Sequence, residues 1–255
     1  MSYFQAFVLG LIQGLTEFLP VSSSGHLVLF SRITGVESSL YFDLILHLGT
    51  LVAVIIAFRR ELTGLIRKPF SAPSLSLVLA TAVSAVVVAL LYKPAKLAFS
   101  GGKTLPIFFM LTAVLLTVGA YYRPKTVKPR HDFFTAAVVG FCQGLAVFPG
   151  LSRSGTTVTA GTLAGVEKRE NTAFCFILSV PIILGSTLVE IIGGKASPVP
   201  VGQLLTGFFT AFISGLLSLK LAKTVFAKNN GVYFAAYLAV LSVVIVINDL
   251  WLHLF

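Results

Sequence analysis

Apolar residues run along this chain in long blocks, not in alternating or one-sided stripes. Six blocks are uninterrupted and long enough to cross a bilayer as helices: Tyr41–Phe58, Leu75–Leu91, Leu105–Tyr121, Phe174–Ile192, Leu204–Leu221 and Val232–Leu250. Four shorter blocks, Tyr3–Gln13, His26–Ile33, Phe133–Gly144 and Thr157–Leu163, flank two glycine- and serine-rich inserts. Pieces that short cannot cross alone. They predict two re-entrant helical hairpins, whose irregular backbone must be covered by protein or line a cavity. Pro181 should kink its span.

The two inserts are copies of one another. Setting Gly10 on Gly140 aligns Gln13 with Gln143, Gly14 with Gly144, Leu15 with Leu145 and Phe18 with Phe148. It also aligns Ser22 with Ser152, Ser24 with Ser154 and Gly25 with Gly155. Where they differ, the first has Glu17, Ser23 and His26, and the second has Val147, Arg153 and Thr156. The chain therefore reads as one membrane domain, 1–255, built of repeats of about 1–122 and 132–255 around the basic linker Tyr122–His131. Each repeat holds one hairpin and three spans. Three is odd, so the second repeat enters the membrane upside down. The predicted fold class is an all-α polytopic membrane protein, an inverted-topology repeat of six transmembrane helices and two re-entrant hairpins.

Charge agrees with this count. Arg59, Arg60, Arg67 and Lys68, then Arg123, Lys125, Lys128 and Arg130, then Lys168 and Arg169, then Lys220, Lys223 and Lys228 all fall on one side if spans alternate. The opposite loops carry fewer: Arg32, then Lys93, Lys96 and Lys103, then Lys195. The basic side should be the cytoplasm, which puts both termini outside. Of the 255 residues 56% are hydrophobic and 11% charged, with a mean hydropathy of +0.94, so a soluble domain is excluded. The net charge of +10 reports membrane orientation and not nucleic-acid binding. The first residues lack the basic lead-in of a cleaved signal peptide, so the first apolar stretch should be retained. Cys142 and Cys175, in apolar sequence without metal-ligand spacing, read as packing residues.

The inserts carry the candidate chemistry. Ser22, Ser23, Ser24 and Gly25 stand where a helix would begin, as do Ser152, Arg153, Ser154, Gly155, Thr156 and Thr157. Serine caps such a start, and its free amides and dipole attract an anion. Two converging starts make a nest for phosphate oxygens, and Arg153 adds a fork that binds two of them. Glu17 is a carboxylate in apolar sequence and must face a cavity or partner; it suits a divalent cation or a base. His26 can pass protons or attack phosphorus itself. Asp43 and His47 share a helix face and either line the site or brace the fold. Glu190 and Asp249 fall near the outer ends of spans, at the interface. No nucleotide-binding or zinc motif is present.

Gln13–His26, together with Pro149–Thr157 and with Phe42–Thr50, resembles the undecaprenyl-diphosphatase family of bacterial membranes, the BacA-type bacitracin-resistance proteins. The resemblance covers nearly the whole chain. It implies hydrolysis of undecaprenyl diphosphate to undecaprenyl phosphate and inorganic phosphate, which recycles the lipid carrier for peptidoglycan. It further implies a homodimer in the bacterial cytoplasmic membrane, a polyprenyl diphosphate substrate, and Mg²⁺ or Ca²⁺. The implied catalytic residues are Glu17, Ser23, His26 and Arg153, and the implied metal ligands Glu17, with substrate oxygens, and Gln13. Many members have glutamate where Gln13 stands and a charged residue where Ala173 stands. The attacking group is Ser23 with His26 as base, a water, or His26 itself. The rival expectation is an inverted-repeat transporter or flippase of a polyprenyl phosphate.

Overall fold

The computed structural model describes residues 1–36, 39–192 and 199–254, without the side chains of 40, 100, 101 and 190–192. Lys195 and the side chain of Glu190 thus lie outside the described residues. The described chain is helical, with α1 Tyr3–Phe18, α2 Ser23–Thr34, α3 Leu40–Ala57, α4 Arg59–Arg67, α5 Ala72–Gly101 and α6 Leu105–Tyr121. After the linker follow α7 Phe133–Leu145, α8 Arg153–Leu163, α9 Lys168–Ile192, α10 Val201–Ala227 and α11 Gly231–Ile247, ending in a π-helical turn, Asn248–Leu252.

All six predicted apolar blocks lie on helices. Four helices are long and apolar enough to cross a membrane: α5, α9, α10 and α11 with its π turn. α3 joins them as a fifth if it is counted with α4, which turns 77° from it. α6, at 17 residues, is apolar but shorter. Exposure is inside-out, as lipid requires: Ile107, Leu217 and Val240 are exposed while Gln13, Thr50, Ser84 and Thr135 are buried. The chain is thus a multi-pass membrane protein. α4 differs from expectation. Arg59–Arg67 reads as a basic loop, yet it forms an amphipathic helix, because Leu62 and Leu65 pack on the core while Arg59, Arg60 and Arg67 stay exposed. α9 continues as one helix through Pro181.

The hairpins are also more helical than the sequence suggests. Gly14 does not break α1, which runs on to Phe18, so only 19–22 are irregular. In the second copy the break is 146–152. The glycines serve packing instead. A Cβ on Gly10 would stand 2.6 Å from the Gly207 carbonyl oxygen, and one on Gly14 would meet the Ala211 carbonyl oxygen at 2.5 Å. Gly140 and Gly144 abut α5 in the same way. Small residues four apart let two helix backbones touch where lipid offers no hydrophobic drive. The result is an exchange: α1 packs mainly on α10, and its counterpart α7 packs mainly on α5. Each hairpin leans on the opposite half.

Gly140→Ala tests this packing. Its Cβ would meet Ala80 O, Cα and C at 2.3, 2.7 and 2.9 Å, all backbone. Alanine gains about 0.5–1 kcal/mol of helix propensity, but overpacking costs about 1–3 kcal/mol. The net expectation is a lower melting temperature in detergent; an unchanged or higher one would contradict the contact.

At the linker, burial pushes the His131 imidazole from 6.5 down to about 4. The folded protein therefore holds this ring neutral, while an unfolded chain protonates it near 6.5. Between those values the unfolded state binds more protons, so stability falls as pH drops from about 6.5 toward 4. Melting curves at pH 7.5 and 5 should show that loss, and His131→Gln should flatten it.

Candidate active site

Two short loops cross at the centre of the molecule. Gly25 at the start of α2 lies against Gly150 of the second loop, where an added Cβ would stand 2.8 Å from the Gly150 nitrogen and Cα. Gly150 itself has φ +96°, which only glycine adopts freely. Ser22 has φ +68°, a strained value for a serine. Its Oγ accepts from Gly25 N at 3.3 Å and from Gly150 N at 3.0 Å, capping its own helix and pinning the other loop. The second copy reciprocates: Ser152 Oγ caps α8 through Gly155 N, and Ser154 Oγ donates to the Leu19 carbonyl at 3.2 Å. Thr112 of α6 locks the crossing, donating to Gly150 O and accepting from Ser152 N.

Beside this crossing the unlike side chains of the two copies meet. Ser23 Oγ donates to Glu17 Oε2 at 2.6 Å, and Gln13 Nε2 donates to the same oxygen at 2.9 Å. Arg153 Nη1 stands 3.5 Å from Glu17 Oε1. The Glu17 side chain is only 5% exposed, the Arg153 side chain 28%. Glu17, Ser22, Ser23, Ser24, Ser152 and Arg153 line one polar cleft. At about 30 Å³ it has room for water. The capped N–H groups are Gly25 and Gly155; by helix geometry the amides of residues 23, 24, 153 and 154 remain at the two helix starts, where the dipoles favour an anion.

Other predicted residues lie elsewhere. Gly25 and Gly155 pack at the crossing. Ser154 ties the loops together. Thr156 is buried, and Thr157 Oγ1 bonds back to Arg153 O at 2.8 Å. His26 faces away from Glu17. Its Nδ1 contacts Ser22 O at 2.8 Å and its Nε2 contacts Tyr237 Oη of α11 at 2.7 Å, with the two rings stacked. His47 does reach the cleft, with Nε2 3.8 Å from Glu17 Oε2 and Nδ1 held by Asp43 O. Its spacing from Asp43 is the signal that points to it. Tyr237, 211 positions from its partner, leaves none.

Gln13 Oε1 is buried beside Glu17 and has no hydrogen-bond partner. That orphaned acceptor, next to a carboxylate, suits a hard divalent cation. Among the described residues no three His, Cys, Asp or Glu side chains cluster, so such an ion would need oxygens from its substrate as well.

The family model described as bacitracin resistance protein BacA matches residues 6–244. A relative from Carboxydothermus hydrogenoformans, named undecaprenyl-diphosphatase, is 37% identical over 97% of this chain and 97% of its own length. One of the same name from Protochlamydia amoebophila is 38% identical over 93% of this chain and 95% of its own. A third, from Bacteroides fragilis, is 35% identical over 97% and 98%. Two interlocked copies of one hairpin, together with a match over nearly the full length, mean that this chain belongs to the bacitracin resistance protein BacA family.

Proposed function

We propose that this chain hydrolyses undecaprenyl diphosphate to undecaprenyl phosphate and inorganic phosphate; the relatives it matches are named undecaprenyl-diphosphatase. The observation that carries this is the meeting of Glu17, Ser23 and Arg153, drawn from both repeats, at 2.6 and 3.5 Å. Arg153 and the helix-start amides hold the terminal phosphate and offset the charge that grows during transfer. The Ser23 hydroxyl already donates to Glu17. Ser23 is therefore the favoured nucleophile: its oxygen bonds the terminal phosphorus, the bridging oxygen leaves with the lipid phosphate, and water then frees phosphate from the serine. Glu17 and Gln13 would hold Mg²⁺ or Ca²⁺ together with substrate oxygens. When bound, such an ion neutralises charge on the diphosphate.

His26 acts through the Ser22 corner. Its Nδ1 faces a carbonyl and must carry the proton, so the neutral ring's Nε2 accepts from Tyr237. Tyr237→Phe removes the donor to that acceptor. We expect kcat to fall about tenfold with KM little changed. An unchanged kcat would separate Tyr237 and His26 from turnover.

The repeats 1–122 and 132–255 form an inverted pair in this reading, with α3, α5, α6, α9, α10 and α11 as six spans. The exchanged packing of α1 on α10 and α7 on α5 supports it. The termini then lie outside the bacterial cytoplasmic membrane, and cysteines placed at Ser2 and Leu254 should label with an impermeant reagent. A homodimer completes the proposal, and cross-linking in native membranes tests it. The deciding assay is phosphate release from a short prenyl diphosphate with and without EDTA. Lipid flux without release would favour the transporter.

A further inference from the structure

One unexplained feature lies away from the catalytic cleft. A cavity of about 410 Å³ opens where α5, α7 and α9 begin, and it shares no lining residue with the cleft. Its walls are Pro73 and Ser76 of α5, Arg130 and His131 of the linker, and Glu170 and Phe174 of α9. The linker is fixed there: Lys128 N donates to Gly165 O at 2.7 Å, and Glu167 N donates to Lys128 O at 2.9 Å.

His131 is the anomaly. It is 5% exposed, and its ring stacks on Phe174 with centroids 4.0 Å apart. The Asn171 side chain is a polar neighbour, yet neither ring nitrogen has a partner in hydrogen-bonding geometry. A neutral imidazole carries one donor and one acceptor, and buried groups of that kind are rarely left unpaired. The first turns of α5 and α9 border the same space, and the dipole of a helix start favours an anion. Arg130 adds a cation able to fork onto phosphate. Glu170 supplies the opposite charge on the other wall. The cavity therefore asks for a ligand with both signs. Exposed Phe70, Phe133 and Phe134 sit near these same helix ends.

We propose that this cavity binds the headgroup of a phosphoethanolamine lipid, with phosphate on Arg130 and His131 and the ammonium on Glu170. It is a lipid-binding site separate from the substrate site, and it does not depend on the phosphatase reading. Its volume falls in the range of small-ligand pockets.

Native mass spectrometry of the delipidated full-length chain tests it, using phosphatidylethanolamine, phosphatidylglycerol and phosphatidylcholine of identical acyl chains, and inorganic phosphate alone. We expect phosphatidylethanolamine to be retained about tenfold over the other two lipids, which amounts to about 1.4 kcal/mol. Arg130→Gln and Glu170→Gln should each remove that preference, and both positions are exposed enough to vary without unfolding the chain. Lys125→Gln, outside the cavity, should leave it intact. Equal retention of the three lipids, capture of free phosphate at similar strength, or a preference that survives both cavity variants would overturn the site.

Discussion

Arg153→Lys should give a folded protein that releases phosphate from a prenyl diphosphate about 10²–10³-fold more slowly, a loss of about 3–4 kcal/mol in the barrier. Lysine is the informative replacement. Glu17 is almost fully buried, and deleting its cationic partner would leave an unpaired charge, so alanine would mix instability with lost catalysis. Lysine keeps the charge and removes a planar fork able to grip two phosphate oxygens. Phosphate release measured at saturating substrate, with a melting curve beside it, separates the effects. A rate within about threefold of the parent would reduce Arg153 to an ion partner of Glu17, and the two-loop phosphate site would fall with it.

Glu17→Gln should be at least as damaging, by about 10²–10⁴-fold, and for the opposite electrostatic reason. Its carboxylate gathers Ser23, Gln13, Arg153 and His47. Glutamine keeps the volume, but it loses the charge that, in the proposed mechanism, would accept the Ser23 proton and help hold a divalent ion. The remaining activity should no longer respond to EDTA. Stability should move the other way or not at all. Burying a carboxylate is costly, and Arg153 is exposed enough for water to solvate it once its partner is neutral. A variant that melts no lower but turns over far more slowly would mark Glu17 as a functional group held at a cost to the fold. Retained EDTA-sensitive turnover would move the metal site elsewhere.

Much of this site is written locally. Glu17, Ser23 and Arg153 stand out because charged and hydroxyl groups interrupt apolar sequence, where they are expensive. The copied Gly10, Gly14, Gly140 and Gly144 are also visible, but their purpose is not. Read alone Gly14 looks like a break and the others like ordinary helix positions, and all four prove to be contact points with α10 and α5. The orientation of a motif residue is equally hidden. Ser22 and Ser24 line the cleft, while Gly25 and Thr156 face protein. The helical turn that sends Ser23 to Glu17 sends His26 to Tyr237.

By itself the sequence determined a membrane protein, its apolar blocks, its duplicated hairpin and the kinds of groups able to handle phosphate. These follow from composition and from spacing within a few turns of helix. Tertiary structure decided that each hairpin crosses to the other half, that Arg153 approaches a carboxylate 136 positions away, and that His47 rather than His26 borders the cleft. Those choices depend on which helix backbones can touch, and a linear order of residues does not record that.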